Sequence, residues 1–292
     1  MIISHIIGGL GNQMFQYASG RALSLARGVP LRLDTQDFEG YALHNGYELD
    51  RIFNIQAQLA SKGDLRAVLG WRSPTAIRRR LFREQLQILR GPRLFVDTQF
   101  TSWRQIAEVP DDCYLMGNWQ TEMYFKNAAA TIRADFSFKL PAQGRNKELA
   151  GQIGRSEAVS LHVRRGDMAA NPASLAFHGL CSLDYYRRAI AYISERVANP
   201  EFYIFSDDIP WVKENLQLQH PCHYMDHNKG AESYNDMRLM SLCRHHIIAN
   251  SSFSWWGAWL NPREDKVVVA PERWFASDFD SSDIVPASWI KL

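Results

Sequence analysis

Apolar residues follow two rhythms along this chain. Short unbroken runs bounded by turn residues, as at 2–7, 114–116, 158–163 and 202–205, alternate with stretches where apolar positions recur every third or fourth residue, as at 13–27 and 183–197. The first rhythm predicts buried strands and the second amphipathic helices. Residues 2–7 read as a strand, Gly8-Gly9-Leu10-Gly11 as a tight turn, 13–27 as a helix burying Phe15, Ala18, Ala22, Leu25 and Ala26, and 29–34 as the next strand, which is a βαβ opening. The region 50–110 is less periodic, and Leu140 to Asn146 reads as a linker. Beyond 150, strands at 158–163, 202–205, 246–249 and 266–270 alternate with helices at 183–197, 210–216, 234–244 and 253–260. Such alternation predicts a mostly parallel sheet covered on both faces. The expected fold is α/β, with two Rossmann-like lobes over 1–148 and 149–292, a cleft between them, and ligands beyond the carboxyl ends of the strands.

Composition narrows the function. A formal net charge of +2 over 292 residues supplies no bulk field for nucleic acid, so any anion must be held by a local cluster. Cys113, Cys181, Cys222 and Cys243 are widely spaced, without a CxxC pair, which predicts neither a disulfide framework nor a zinc site and fits a reducing cytoplasm. The opening MIISHIIGGLGNQ has no basic leader and is too short an apolar run to span a membrane. One segment departs from this even balance. Residues 72–93 carry Arg72, Arg78, Arg79, Arg80, Arg83, Arg90 and Arg93 against Glu84 alone. They read either as a peripheral contact with an anionic inner-membrane surface or as a solvated helix face.

The candidate chemistry sits where strands hand over to loops. In "HVRRGD", residues 162–167, alternation sends Val159, Leu161 and Val163 to one face and Ser160, His162 and Arg164 to the other. Arg164 and Arg165 offer planar donor forks suited to paired phosphate oxygens, Gly166 permits a close turn, and Asp167 is placed to hold an arginine or the turn's amides. A diphosphate clamp and a pair of solvated arginines tied to Asp167 both fit. In "SDD", residues 206–208, short acids before Pro210 read first as a helix cap. "NSSFSWWGAW", residues 250–259, has more hydroxyls than capping needs, and hydroxyls with free helix amides make an anion site. Trp255, Trp256 and Trp259 fit one buried helical stripe better than a sugar platform, which weighs against a lectin-like binder.

The turn "GGLGNQMF" partly matches a dinucleotide fingerprint. Gly9 and Gly11 fit its first two glycines, Met14 occupies the third, and Asp34 stands near the position of a ribose-binding acid. The alternative function is therefore a nicotinamide-dependent oxidoreductase.

Taken together, "GGLGNQMFQYA", "HVRRGD", "FSDD" and "SYNDMRLMSLCRHHIIANSSFSWWGAWLNP" resemble the motifs of the α-1,2-fucosyltransferases of glycosyltransferase family 11, over nearly the whole chain. The resemblance implies a two-lobed GT-B fold and inverting transfer of L-fucose from GDP-β-L-fucose to the 2-hydroxyl of a galactose in an oligosaccharide acceptor. It also lends roles to matching positions. His162 becomes a guanosine-side contact, Arg164 and Arg165 pyrophosphate ligands, Asp236 an acceptor of guanine N–H groups, and Ser252, Phe253 and Ser254 the phosphate-side turn. Asn12 becomes a donor-facing residue of the glycine turn, with the first lobe on the acceptor side. No metal is expected, because the only DxD pair, Asp278 and Asp280, lies in a polar loop near the C-terminus. Related enzymes place a glutamate in the loop after the arginine motif, but 168–183 contains no Asp or Glu. His178 is the candidate base there, or else an acceptor contact or a cap on Gly179; Asp37 and Glu39 are alternatives, and a loose oxocarbenium-like state that needs no strong base is a further one.

Overall fold

The computed structural model describes residues 1–41, 43–97, 102–166 and 171–292. It divides into two compact units, Met1–Lys139 and Leu140–Leu292.

In the first unit β1 (Ile2–His5) runs through the glycine turn into α1 (Leu10–Arg27) and β2 (Leu31–Asp34). There follow α2 (Leu49–Ile52), β3 (Gln58–Leu59), α3 (Lys62–Leu69), α4 (Thr75–Leu81), β4 (Leu94–Asp97), β5 (Cys113–Gly117) and α5 (Ala129–Asp135). The strands form a parallel sheet in the order β3-β2-β1-β5-β4. Ile3, Tyr114 and Met116 pack beneath Leu65, Val68, Leu69 and Leu81 of α3 and α4.

The glycine turn is held by glutamines. Buried Gln13 donates through Nε2 to Gly8 O and Gly46 O, each at 2.8 Å, and its Oε1 accepts from Glu48 N. Gln16 Oε1 accepts from Ile7 N at 2.9 Å, while its Nε2 donates to Gly117 O on β5. These bonds satisfy backbone groups that the turn would otherwise bury unpaired. The expected burial of Leu25 and Ala26 does not occur, since both are exposed. An 18-residue helix is about 27 Å long and a four-residue strand about 13 Å, so the last turn of α1 overhangs β1.

The second unit comprises α6 (Gly144–Ile153), β6 (Glu157–Val163), α7 (Pro172–His178), α8 (Leu183–Ser194), β7 (Pro200–Ser206) and α9 (Ile209–Asn215). It continues with β8 (Cys222–Met225), α10 (Tyr234–Leu242), β9 (His245–Ile247), α11 (Ser252–Leu260), β10 (Val268–Ala270) and β11 (Ile290–Lys291). Its parallel sheet has the order β11-β10-β9-β6-β7-β8. Strand alternation divides the core between the two faces. Val159, Leu161, Val163, Phe202 and Ile204 join α8 and α9, whereas Ala158, Tyr203 and Phe205 join α6 and α10. The face carrying Ser160 and His162 is therefore covered as well.

The division between units falls nine residues before the expected boundary at 148/149. Leu149 and Ile153 of α6 pack on Met225, Leu239 and Met240, so a segment read partly as linker is a structural helix of the second unit. All four cysteines are free. Among the described residues no helix is long and apolar enough to cross a membrane.

Candidate functional site

Strands β9, β6 and β7 are adjacent and parallel, so their carboxyl ends present three loops side by side. The register pairs Val163 with Ser206, which sets Arg164 opposite Asp207. Arg164 Nη1 lies 3.0 Å from Asp207 Oδ2, and the other oxygen, Oδ1, accepts the Arg165 backbone N–H at 2.9 Å. The Arg165 guanidinium stacks on Trp211 at 3.7 Å, with Nε 3.8 Å from Asp208 Oδ2. One carboxylate thus fixes the turn and one arginine, and an indole face orients the other. The role expected of Asp167 falls outside the described residues; Asp207 performs part of it. Gly166 leaves room for this pairing, because a Cβ there would stand 2.6 Å from Asp207 Oδ2 and displace the carboxylate. Asp208 caps α9 by accepting from Trp211 N at 3.2 Å, which is the capping expected of "SDD".

His162 is buried beside Phe253 of α11, with ring centroids 6.1 Å apart. Burial, reinforced by the Arg164 charge, lowers its pKa to about 3, so the imidazole is neutral at physiological pH. Its Nδ1 is buried and finds no hydrogen-bond partner among the described residues. A buried polar atom without a partner is costly.

The α11 turn sorts its serines. Ser251 Oγ caps the helix by accepting from Phe253 N. Ser254, expected on the phosphate side, is buried and donates to Ser251 O at 3.4 Å. Ser252, in the first turn, stays partly exposed. Asn250, read from sequence only as one of the small polar groups of this turn, has a bridging role. Its Nδ2 donates to His178 O at 2.9 Å and Trp274 O at 3.2 Å, tying the end of α7 to the strand ends.

Asp236, in the first turn of α10, accepts from Asn228 Nδ2 at 2.7 Å. Asn228 exchanges hydrogen bonds with Asn146 of α6, which also meets His227 Nε2 at 2.9 Å. Burial raises the Asp236 pKa to about 7 despite the Asn228 donor. This amide network was invisible in sequence because its members come from separate elements.

These motifs have a family counterpart. A profile of glycosyl transferase family 11 matches residues 99–292, the stretch that carries all three carboxyl-end loops. The chain belongs to that family. It is 35% identical to an α-1,2-colitosyltransferase of Escherichia coli over 100% of this chain and 99% of that one. It is 26% identical to the galactoside α-(1,2)-fucosyltransferase 1 of Homo sapiens over 47% of this chain and 40% of the relative. Among solved structures, the NodZ α-1,6-fucosyltransferase superposes with a TM-score of 0.59 at 15% identity, over 89% of this chain and 92% of that one. The likeness shows the fold: two Rossmann-like α/β units of the GT-B type.

For this family 11 glycosyltransferase the nicotinamide alternative fails on its own residues. Asp34, expected near a ribose, is fully buried and held by Arg78 Nη2 at 2.8 Å and the Tyr114 hydroxyl at 2.6 Å, while Met14 fills the core. The tryptophans Trp255, Trp256 and Trp259 are buried as predicted, with Trp255 Nε1 donating to Ile284 O.

Other expected site residues are placed as follows. Asn12 belongs to the first unit, where its Oδ1 accepts from Gln120 Nε2 at 2.8 Å. His178 ends α7, its ring against Phe177 and Phe275. Asp37 is buried between His5 Nε2 at 2.7 Å and the Arg79 guanidinium at 2.7 Å. Burial would raise its pKa, but the His5 and Arg79 contacts outweigh this and lower it, which unsuits it as a base. Glu39 is exposed. Asp280 Oδ1 accepts from Ser282 N at 3.0 Å within its loop.

Proposed function

We propose that this enzyme transfers L-fucose from GDP-β-L-fucose to the 2-hydroxyl of a terminal galactose in an oligosaccharide, with inversion and without a metal, in the cytoplasm. The observation that carries the reading is the pair of arginines fixed by Asp207 and Trp211 beyond the central strands. As the anomeric C–O bond breaks, its electron pair passes to the β-phosphate of GDP, and cations already in position stabilise that charge more than they stabilise the ground state. Arg164 and Arg165 take the diphosphate, with Ser252 and the first-turn amides of α11 beside them. His162, with its unpartnered Nδ1, lies on the guanosine side with Phe253, and Asp236 accepts the guanine N–H groups. Asn12 serves the donor from the glycine turn.

The acceptor oxygen attacks the face opposite GDP, which turns the β-linked donor into an α-linked product and releases one proton. His178 is the residue proposed to take it. With His178→Gln, kcat should fall at least tenfold while GDP affinity stays unchanged. Unchanged kcat would remove His178 from the mechanism.

The decisive experiment is calorimetry with GDP in EDTA on the wild type and Arg164→Ala. Loss of an arginine–phosphate pair costs about 2–4 kcal/mol, a weakening of roughly 30- to 1,000-fold. Equal binding by both proteins, or binding that needs a divalent ion, would overturn the reading.

The colitosyltransferase relative favours a second donor. Colitose lacks the 3-hydroxyl of fucose, so the two donors share the GDP clamp and differ at one sugar position. Competing GDP-fucose and GDP-colitose on one galactoside, with the product identified by mass, decides between them.

A further inference from the structure

The first unit carries several exposed apolar side chains close together in sequence. Trp71 is 58% exposed, Phe82 41%, Ile88 88% and Leu89 44%. Scattered exposed apolar residues are ordinary, but these are gathered. Arg72 Nε donates to Leu89 O at 2.6 Å, with its guanidinium 4.6 Å above the Trp71 ring. Arg90 Nε donates to Leu81 O at 2.8 Å and Nη2 to Phe82 O at 3.1 Å. Arginine side chains therefore bind the ends of α3 and α4 and the segment 84–90 into one surface. Trp71, Arg72, Arg90, Pro92 and Arg93 also border a cavity of about 320 Å³, open to one side.

The platform is anchored from beneath and basic above. Arg78 is buried against Asp34, and Arg79 reaches Asp37. Arg80, Arg83 and Arg93 are exposed, with Glu84 the one acid between residues 72 and 93.

We propose that this surface docks on an anionic lipid bilayer, with Trp71, Phe82, Ile88 and Leu89 entering the boundary between headgroups and acyl chains. Arg72, Arg80, Arg83, Arg90 and Arg93 then face lipid phosphates. Tryptophan, bulky aliphatic residues and arginine together match the chemistry of that boundary, which is apolar on one side and anionic on the other. Short helical pieces stapled by arginine present the same two chemistries, and the inference is independent of which sugar is transferred.

Co-sedimentation of the full chain with vesicles tests it. The protein should pellet with vesicles of phosphatidylcholine containing phosphatidylglycerol and remain in solution with phosphatidylcholine alone. Arg80→Gln and Arg83→Gln should each weaken partitioning roughly fivefold, and added salt should weaken it further. The pair Trp71→Ala and Ile88→Ser should also release the protein. These side chains are exposed, so thermal unfolding should match the wild type and exclude misfolding as the cause. Four results would each overturn the proposal: no pelleting of the intact chain, equal pelleting on neutral vesicles, pelleting without vesicles, or variants that pellet like the wild type.

Discussion

As the proposed acceptor of the guanine N–H groups, Asp236 should give GDP binding a pH dependence that the arginines cannot. Its pKa of about 7 means that near neutrality half the molecules carry a carboxyl in place of a carboxylate. Only the carboxylate accepts two guanine N–H groups, so GDP affinity should be complete above pH 7 and fall about tenfold per unit below it, until the pKa of the complex is reached. Stability should run the other way. A carboxyl whose folded pKa lies above its unfolded value binds its proton more tightly when folded, so its contribution is complete below about pH 4 and is lost as pH rises through 7. His162 does not confuse this profile, because its pKa of about 3 keeps it neutral throughout. Calorimetry from pH 5.5 to 8 checks the slope, and Asp236→Asn should flatten it while weakening binding at pH 8 by roughly 10- to 100-fold. A slope that survives in Asp236→Asn would place the titrating group elsewhere. At this scale the sequence revealed residues lying beside the end of a predicted strand, such as Arg164 and Asp208. It concealed Asp207, Asn228 and Asn146 as partners, because their roles arise only from register and packing.

Two glycines show how elements, more than single side chains, build the site. Gly257 of α11 faces Met240 of α10, and an added Cβ would stand 2.8 Å from Met240 Cβ. That close approach sets α11, with Ser252, against the helix that carries Asp236. Gly257→Ala should therefore cost about 1–3 kcal/mol of stability, seen as a lower denaturation midpoint. Gly166→Ala is different in kind. The new methyl would meet a carboxylate at the end of a side chain, so Asp207 should yield and release Arg164 while the fold persists. GDP affinity should drop about tenfold or more with little change in melting temperature. A variant that melts early but binds normally would contradict that role for Gly166. Alternation made β6 and β7 legible, since each face has its own apolar set. The two-residue strand β3 is exposed at both positions and leaves no such pattern.

Across the whole molecule, a buried charge in one unit should act on stability without acting on the proposed donor site in the other. The first unit buries a complete ion pair, Arg78 on Asp34, with the Tyr114 hydroxyl closing the carboxylate. Periodicity foretold two lobes but not this pair. It read Arg78 with its basic neighbours as surface, because a lone arginine in sequence gives no sign of the buried acid that awaits it. Arg78→Met leaves Asp34 buried without its cation, which should cost the first unit about 3–5 kcal/mol, and Asp34→Asn added to it should restore part of that loss. The arginines, His162, Asp236 and Ser252 all lie within Leu140–Leu292. Below the melting transition, Arg78→Met should therefore bind GDP within about twofold of wild type, less than half a kcal/mol, while unfolding at a much lower denaturant concentration. If GDP binding were lost while the second unit remained folded, the donor would depend on the first unit. The glycine turn and Asn12 would then have to supply more of the affinity than the arginine pair.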